Sequence, residues 1–325
     1  MTDLIQKLAR DRRLAPAEYV TLLQNRTPKV RRELRRLADL ARRDHYGTTV
    51  YIRGAMELSS ICKNDCRYCF QRRSNSECPR YRLRPREILD CLEEGYGQEL
   101  RSFLLRGGED HFYNDDILEF LIQRLKNRFP DCAVTLALGE RSRQSYQRLF
   151  NAGADRYLLR HEAADRSLYE ALHPSQMSWD RRMHCLNDLK EIGYQVGCGF
   201  IVGLPGQELA HLARDLTYIQ EFMPHMVDVG PFIPQPGTPF AAEPPGDRQL
   251  TDDLVSIIRI LCPAALITAP GDPESLVLSG ANVVCWPLYP AQPSMDALSA
   301  IQRRLADIGF EGSTEKGDCV FSAEC

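Results

Sequence analysis

The sequence predicts an α/β fold, an eight-unit (β/α) TIM-type barrel preceded by an N-terminal helical extension. Two observations carry that prediction. From about residue 48 onward, short apolar runs alternate with amphipathic helical stretches about eight times, the pattern of βα units joined into a parallel sheet. Cysteines, glycines, acids and an arginine recur just after those apolar runs, where barrel enzymes carry their functional groups.

The chain has 325 residues, enough for one such barrel, and its 43% hydrophobic content is ample for a core. A net charge of −3 gives no electrostatic case for nucleic acid or an anionic membrane. No apolar run approaches the roughly 20 residues that span a bilayer. The opening Met1-Thr-Asp-Leu-Ile-Gln-Lys lacks the apolar core of a secretory signal, so a cytoplasmic location is expected. The expected division is a helical segment over 1–47, the barrel over 48–290, and a C-terminal helix and tail over 291–325.

Residues 1–45 read as three helices. Leu4, Ile5 and Leu8, then Tyr19, Leu22 and Leu23, then Val30, Leu34, Leu37 and Ala41 recur at helical spacing. Pro16 and Pro28 suit first turns, where a missing N–H is harmless, and Thr27 can cap. The third helix carries Lys29, Arg31, Arg32, Arg35, Arg36, Arg42 and Arg43 interleaved with Glu33, Asp39 and Asp44, and is expected to show solvent a charged outer face. The strand candidates are 48–58, 102–105, 133–138, 156–159, 196–202 and 226–230, with weaker ones at 265–268 and 281–285. Helices stand between them, for example 115–129 after Asn114, and 209–222 with Leu209, Leu212, Leu216 and Ile219 on one face.

The loop after the first strand holds the most specific signal, Cys62-Lys-Asn-Asp-Cys66-Arg-Tyr-Cys69. Three cysteines this close can point at one metal site, and thiolate is the preferred ligand of iron–sulfur clusters and of zinc. A zinc site usually adds a second cysteine pair or histidines, and none stands nearby, which favours a cluster. Three thiolates would leave one iron of a four-iron cubane open to a non-protein ligand. Cys78, Cys91, Cys132, Cys185, Cys198, Cys262 and Cys285 are scattered singly among apolar neighbours and are expected to be small buried hydrophobes.

At the cysteine triplet the chain resembles the radical S-adenosylmethionine (SAM) superfamily. The resemblance implies one 4Fe-4S cluster held by Cys62, Cys66 and Cys69, with SAM bound at the open iron and cleaved reductively to a 5'-deoxyadenosyl radical. It places Tyr68 beside adenine and sets Gly107-Gly108-Glu109 toward the methionine amino group. Glu140 and Arg160 end the third and fourth strands with charges that suit an amino acid's ammonium and carboxylate. Their alternative is a mutual salt bridge at the rim. Gly199 and Ile201 belong to a Gly-x-Ile-x-Gly element that lies against adenine in the superfamily, although Gly206-Gln207 stands where an acidic residue is usual.

Longer stretches narrow the likeness. Tyr51-Ile-Arg-Gly54, Gly153-Ala-Asp-Arg-Tyr-Leu-Leu-Arg-His-Glu162 and Val202-Gly-Leu-Pro-Gly-Gln207 are similar to the HydE-type maturases of di-iron hydrogenase, relatives of biotin synthase and methylornithine synthase. This likeness covers about residues 48–262. It implies a small thiol-containing or amino-acid-like substrate or an iron complex, a reductant such as ferredoxin or flavodoxin, and other hydrogenase maturases as partners.

Departures fall where a substrate would be chosen. Phe70 replaces a usual Gly, Ile201 a usual Met, Arg106 a usual Gln, and Thr268-Ala-Pro-Gly-Asp-Pro273 is shorter than the family's stretch. Arg106 and Thr268 are therefore the candidate substrate residues, with Arg106 either binding a carboxylate or pairing with Asp110. A synthase or mutase reaction on another small molecule is the rival within enzymes. A non-catalytic iron–sulfur scaffold is the rival outside them, and the amino-acid clamp argues against it. Cys319 and Cys325 are too few for a second three-cysteine cluster.

Overall fold

The computed structural model describes residues 1–269, 271–289 and 295–317. Cys319 and Cys325 lie outside the described residues, as does Pro270 within the Thr268–Pro273 stretch.

Three helices open the chain: α1 (Thr2–Asp11), α2 (Pro16–Gln24) and α3 (Pro28–Tyr46). Pro16 and Pro28 occupy first-turn positions, and the Thr27 hydroxyl accepts the Val30 N–H. Eight parallel strands follow: β1 (Thr49–Glu57), β2 (Ser102–Arg106), β3 (Ala133–Ala137), β4 (Arg156–Leu158), β5 (Gln195–Val202), β6 (Met226–Pro231), β7 (Leu266–Thr268) and β8 (Val283–Tyr289). Each pairs with the next, and β1 pairs with both β8 and β2, which closes the barrel. The helices between them are α4 (Pro85–Gly97), α5 (Asp115–Arg128), α6 (Arg143–Asn151), α7 (Arg166–Leu172), α8 (Trp179–Ile192), α9 (Leu209–Phe222), α10 (Arg248–Leu261) and α11 (Pro273–Leu278), with α12 (Met295–Asp307) after β8.

A ninth strand, β9 (Glu311–Ser313), is absent from the sequence reading. It pairs with Thr49–Tyr51. Tyr51 also pairs with Val283, so β9 lies on the edge of β1 opposite β8, in line with β2. Three residues with a glycine at the centre carry no periodic signal, and only the N-terminal stretch of β1, beyond its pairing with β2, defines their place. Just beyond, the buried Arg156 donates to the carbonyls of Lys316 and Gly317, so this segment packs against the N-terminal end of the barrel.

The third helix departs from expectation. Arg32 and Arg36 do face solvent, but Arg31 Nε lies 3.3 Å from Asp253 Oδ2 and Arg35 Nη2 lies 3.5 Å from Asp252 Oδ2, both acids on α10. Arg42 is fully buried, donating to Gly47 O and Asp39 Oδ1 with its guanidinium 4.4 Å from the Phe310 ring centroid. Two of the seven basic residues are thus docked by an acidic pair on a helix more than 200 residues away in sequence, and a third is buried. The apolar residues of α1–α3, including Leu8, Tyr19, Leu22 and Leu34, belong to the same core as the barrel strands. Of the seven isolated cysteines, Cys91 and Cys285 are only partly buried, while the other five are buried as expected.

Candidate active site

The loop from Leu58 to Arg84 crosses the C-terminal end of the barrel and is held by charge rather than by secondary structure. Arg80 donates to the carbonyls of Ser60, Gln71, Arg72 and Asn75, at 2.5–2.9 Å, which satisfies a stretch of backbone that has no ladder of its own. Asp110 accepts both Arg82 nitrogens, at 2.7 and 2.8 Å, and the Ser59 hydroxyl at 2.7 Å, tying the loop's two ends to the turn after β2. Burial is the first influence on the Asp110 carboxyl, but these donors outweigh it and hold its pKa below the ordinary range.

Within that frame the three cysteines are free thiols facing one cavity. Cys62 Sγ accepts the N–H groups of Asn64 and Glu109, at 3.4 and 3.3 Å. Gly108 has to be glycine, since a Cβ there would overlap Ile61 O and stand 2.6 Å from Cys62 Cβ. Burial pushes all three thiols up, Cys69 to about 11. Such thiols keep their protons unless a metal replaces them. Among the described residues no three His, Cys, Asp or Glu side chains converge on a single ion. A cluster spreads its ligands over separate irons, and its fit to this donor set is good.

The cavity measures about 600 Å³ and is walled by the strand ends. It brings together Tyr68, Arg106, Gly107, Gly108, Glu109, Arg160 and Ile201 with the three cysteines, as the sequence reading expects. Glu140, Gly199 and Thr268 are not among its lining residues. Glu140 turns to α8, taking Arg182 Nε at 2.8 Å and Arg181 Nε at 3.1 Å, and only its backbone N–H reaches inward, to Glu109 Oε1 at 3.1 Å. The mutual pair with Arg160 does not form. Arg160 Nη2 instead lies 2.9 Å from Glu162 Oε1. Burial opposes the Arg160 charge, and the carboxylates of Glu162 and Asp228 more than offset it. Gly199 packs under the wall, where a Cβ would overlap Asp228 O, and Thr268 is paired in β7 between Asp228 and Val283.

Arg106 does not pair with Asp110. Its Nε lies 3.3 Å from Glu57 Oε1, at the end of β1, with about half of its side chain exposed to the cavity mouth. Lys63 Nζ lies 2.9 Å from Glu109 Oε2. The Tyr68 hydroxyl lies 3.0 Å from His173 Nε2, and His173 Nδ1 is 2.7 Å from the carbonyl of Tyr169, an acceptor, so Nδ1 carries the imidazole proton and Tyr68 donates. Burial lowers the His173 pKa to about 4.

Several lining residues escaped the sequence reading: Glu57, Glu162, Met177, Arg182, Asp228 and Phe232. Asp228 had a signal, a lone acid in an apolar strand, Met226-Val-Asp-Val-Gly230. Its burial raises its pKa, and Arg160 and Arg106 only partly counter this. Arg182 had none, because it reaches the site from a helix.

A parallel barrel whose mouth presents a loop of free thiols beside a glycine-lined turn and an arginine–carboxylate pair defines a class, the radical SAM enzymes. The Radical SAM superfamily model matches residues 56–219, and the chain belongs to that superfamily. It is similar to the [FeFe] hydrogenase maturase subunit HydE of Thermotoga maritima, 41% identical over 257 residues that cover 77% of this chain and 73% of the relative. The 3-methylornithine synthase of Methanosarcina acetivorans is 28% identical over 286 residues, covering 85% and 80%. The crystal structure of methylornithine synthase (PylB) has the same fold, with a TM-score of 0.85 at 24% identity over 95% of this chain and 97% of that one. Membership implies a 4Fe-4S cluster and SAM. Among the described residues no helix is long and apolar enough to cross a membrane.

Proposed function

We propose that Cys62, Cys66 and Cys69 hold the cluster, and that the chain performs HydE-like chemistry on a small thiol-containing or amino-acid-like substrate. The observation that carries this reading is the convergence of the three cysteines, Glu109 and Arg160 on one cavity, in a chain 41% identical to HydE. Held by Cys62, Cys66 and Cys69, a reduced 4Fe-4S cluster would supply the electron for reductive cleavage of SAM.

The protein's own part is to bind, orient and exclude water. Glu109 offers a carboxylate to the SAM ammonium, and Arg160 a guanidinium to its carboxylate. Glu162, fixed by Arg160, offers an acceptor to hydroxyl groups. Tyr68, its ring held by the hydrogen bond to His173, and Ile201 give apolar faces to adenine. Glu140 supports the site from behind, through Arg182 and through the N–H that holds Glu109. Arg106, Glu57 and Asp228 line the remaining space and are the polar groups that would meet the substrate. Ferredoxin or flavodoxin would deliver the electron, and other hydrogenase maturases would supply or accept the iron complex.

Arg106 favours a second reading, a methylornithine-synthase-like step on another amino acid, because it adds a cation where HydE-type enzymes carry a neutral amide. The test is an anaerobic assay of reconstituted, dithionite-reduced protein with SAM and free cysteine, read by mass spectrometry. The first reading predicts 5'-deoxyadenosine together with an adenosyl-sulfur adduct. 5'-Deoxyadenosine without adduct favours the second, and absence of SAM cleavage refutes both.

A further inference from the structure

Between the two cavity residues Arg160 and Glu162 lies His161, which faces the other way and is completely buried. We infer that His161, backed by Asp215, is a positioning residue that locks the Arg160–Glu162 arm to β5 and so sets the affinity for SAM without touching it; the inference rests on the proposed SAM site.

The argument begins with where β4 ends. Its ladder with β5 continues one step past Leu158, through Leu159 N–H to Gly197 O at 2.9 Å, and then the chain leaves the strand direction. Gly199 N–H, the next donor along β5, is thereby without a backbone acceptor on β4. His161 Nδ1 supplies one, at 3.3 Å. In return Glu162 N–H donates to Gly199 O at 3.0 Å. One side chain and one amide therefore bracket Gly199 where the strands part, and they hold the arm at His161 and Glu162.

The grip holds a conformation the chain would not choose alone. Glu162 has φ of 63°, left-handed backbone that a non-glycine residue adopts at a cost of about 1 kcal/mol or more. Without His161 in place the turn can relax, and Arg160 and Glu162 would leave the cavity together.

The protonation pattern follows from the same contacts. Because Nδ1 accepts from Gly199, the imidazole proton resides on Nε2, which makes no aligned hydrogen bond but has the Asp215 carboxylate beside it, with Oδ1 at 3.3 Å. Asp215, on α9, is itself buried, and its Oδ1 also accepts Ala164 N–H at 2.7 Å, just past the arm. Tyr218 closes the ring's flank, its centroid 4.7 Å from that of His161. The pair thus ties α9, β5 and the arm at one point, and none of its atoms lies in the cavity. Its chemistry is that of a hinge pin, with no proton to give to a reactant.

Three variants of the reconstituted protein test this. His161→Asn keeps an acceptor where Nδ1 stands. His161→Gln keeps a donor toward Asp215 but loses the acceptor for Gly199, and His161→Phe keeps only the ring shape. SAM affinity is read by equilibrium dialysis and by the change SAM produces in the electron paramagnetic resonance signal of the reduced cluster, with iron content and thermal midpoint measured alongside. The expected result is a Kd for SAM raised about tenfold or more in the Phe and Gln variants and within about threefold of wild type in the Asn variant, with iron content unchanged in all. If Phe does not fold, Gln carries the test. Wild-type affinity in a folded Gln or Phe variant would overturn the inference, as would an Asn variant as weak as Gln. Failure of the wild-type protein to bind SAM would overturn the proposed site itself, and this arm separates the two.

Discussion

Gly108→Ala is the most economical attack on the cluster loop, because it adds one methyl group and removes no interaction. The new Cβ would overlap the carbonyl oxygen of Ile61 and stand 2.6 Å from Cys62 Cβ. Ordinary carbon–carbon contact begins near 3.5 Å, so the backbone that carries the first cysteine has to retreat by roughly 1 Å. A binding constellation tolerates about 0.5 Å of misplacement, and overpacking of this kind costs about 1–3 kcal/mol. The loop has few ways to yield, since Cys62 Sγ already accepts from Asn64 and Glu109 and the Lys63 amide donates to Glu109 O. Iron and sulfide per chain after anaerobic reconstitution, together with the thermal midpoint, are the readouts. We expect less than half the wild-type iron in Gly108→Ala. Gly107→Ala, whose Cβ would meet nothing nearer than Ser59 O at 3.2 Å, should lose less. Gly97→Ala, at the end of α4 with nothing within 4 Å, should load normally and be unchanged or slightly stabilised. Wild-type loading in Gly108→Ala would refute the claim that this close approach sets the place of Cys62.

Other perturbations read other parts of the molecule. Lys63→Ala frees the Glu109 carboxylate from a half-exposed cation 2.9 Å away; such pairs contribute about 1 kcal/mol at most, so SAM affinity should rise by up to about fivefold, whereas Glu109→Gln should lower it in the same calorimetric titration. Arg259 is buried and donates to the carbonyls of Gly280, Pro263 and Ala265 and to Asn282 Oδ1, all at 2.7–2.8 Å, so Arg259→Met should cost about 3 kcal/mol or more in urea unfolding. The exposed Arg36→Met is the control, expected within about 0.5 kcal/mol of wild type. His173 supplies a pH test. Its folded pKa of about 4 lies below the roughly 6.5 of an unfolded histidine, so the unfolded chain takes up the extra proton first and stability falls as pH drops from about 6.5 toward 4. The loss is about 3 kcal/mol at most, and His173→Phe should flatten that part of the profile of unfolding free energy against pH.

Some of the site was legible because its signals are local. The cysteine triplet is a spacing of three and two residues on one loop, and Gly107-Gly108-Glu109 is a contiguous turn. Both remain next to each other whatever the rest of the chain does, and Gly108 even touches the loop that the sequence paired it with only in order. Glu140 shows the limit of such reasoning. It stands after β3, where a barrel puts functional groups, yet its carboxylate faces α8, because Arg181 and Arg182 approach from a helix whose sequence pattern says only that it is amphipathic. Arg106 was left with two partners in sequence terms, a substrate carboxylate or Asp110. Asp110 is occupied by Arg82, 28 residues earlier, and that pairing releases Arg106 toward Glu57.

The alternation of apolar strands and amphipathic helices, the caps at Thr27 and Asn114, and the class of chemistry in the cysteine loop were determined by the sequence alone, since each depends on residues within one turn, one strand or one loop. Which way a rim side chain points, which basic residues of α3 are docked on α10, and that a short strand at 311–313 joins β1 were decided only by tertiary structure. The physical reason is the same in each case. A charge or an unpaired backbone edge takes the best partner in reach, and reach is defined by the closed barrel.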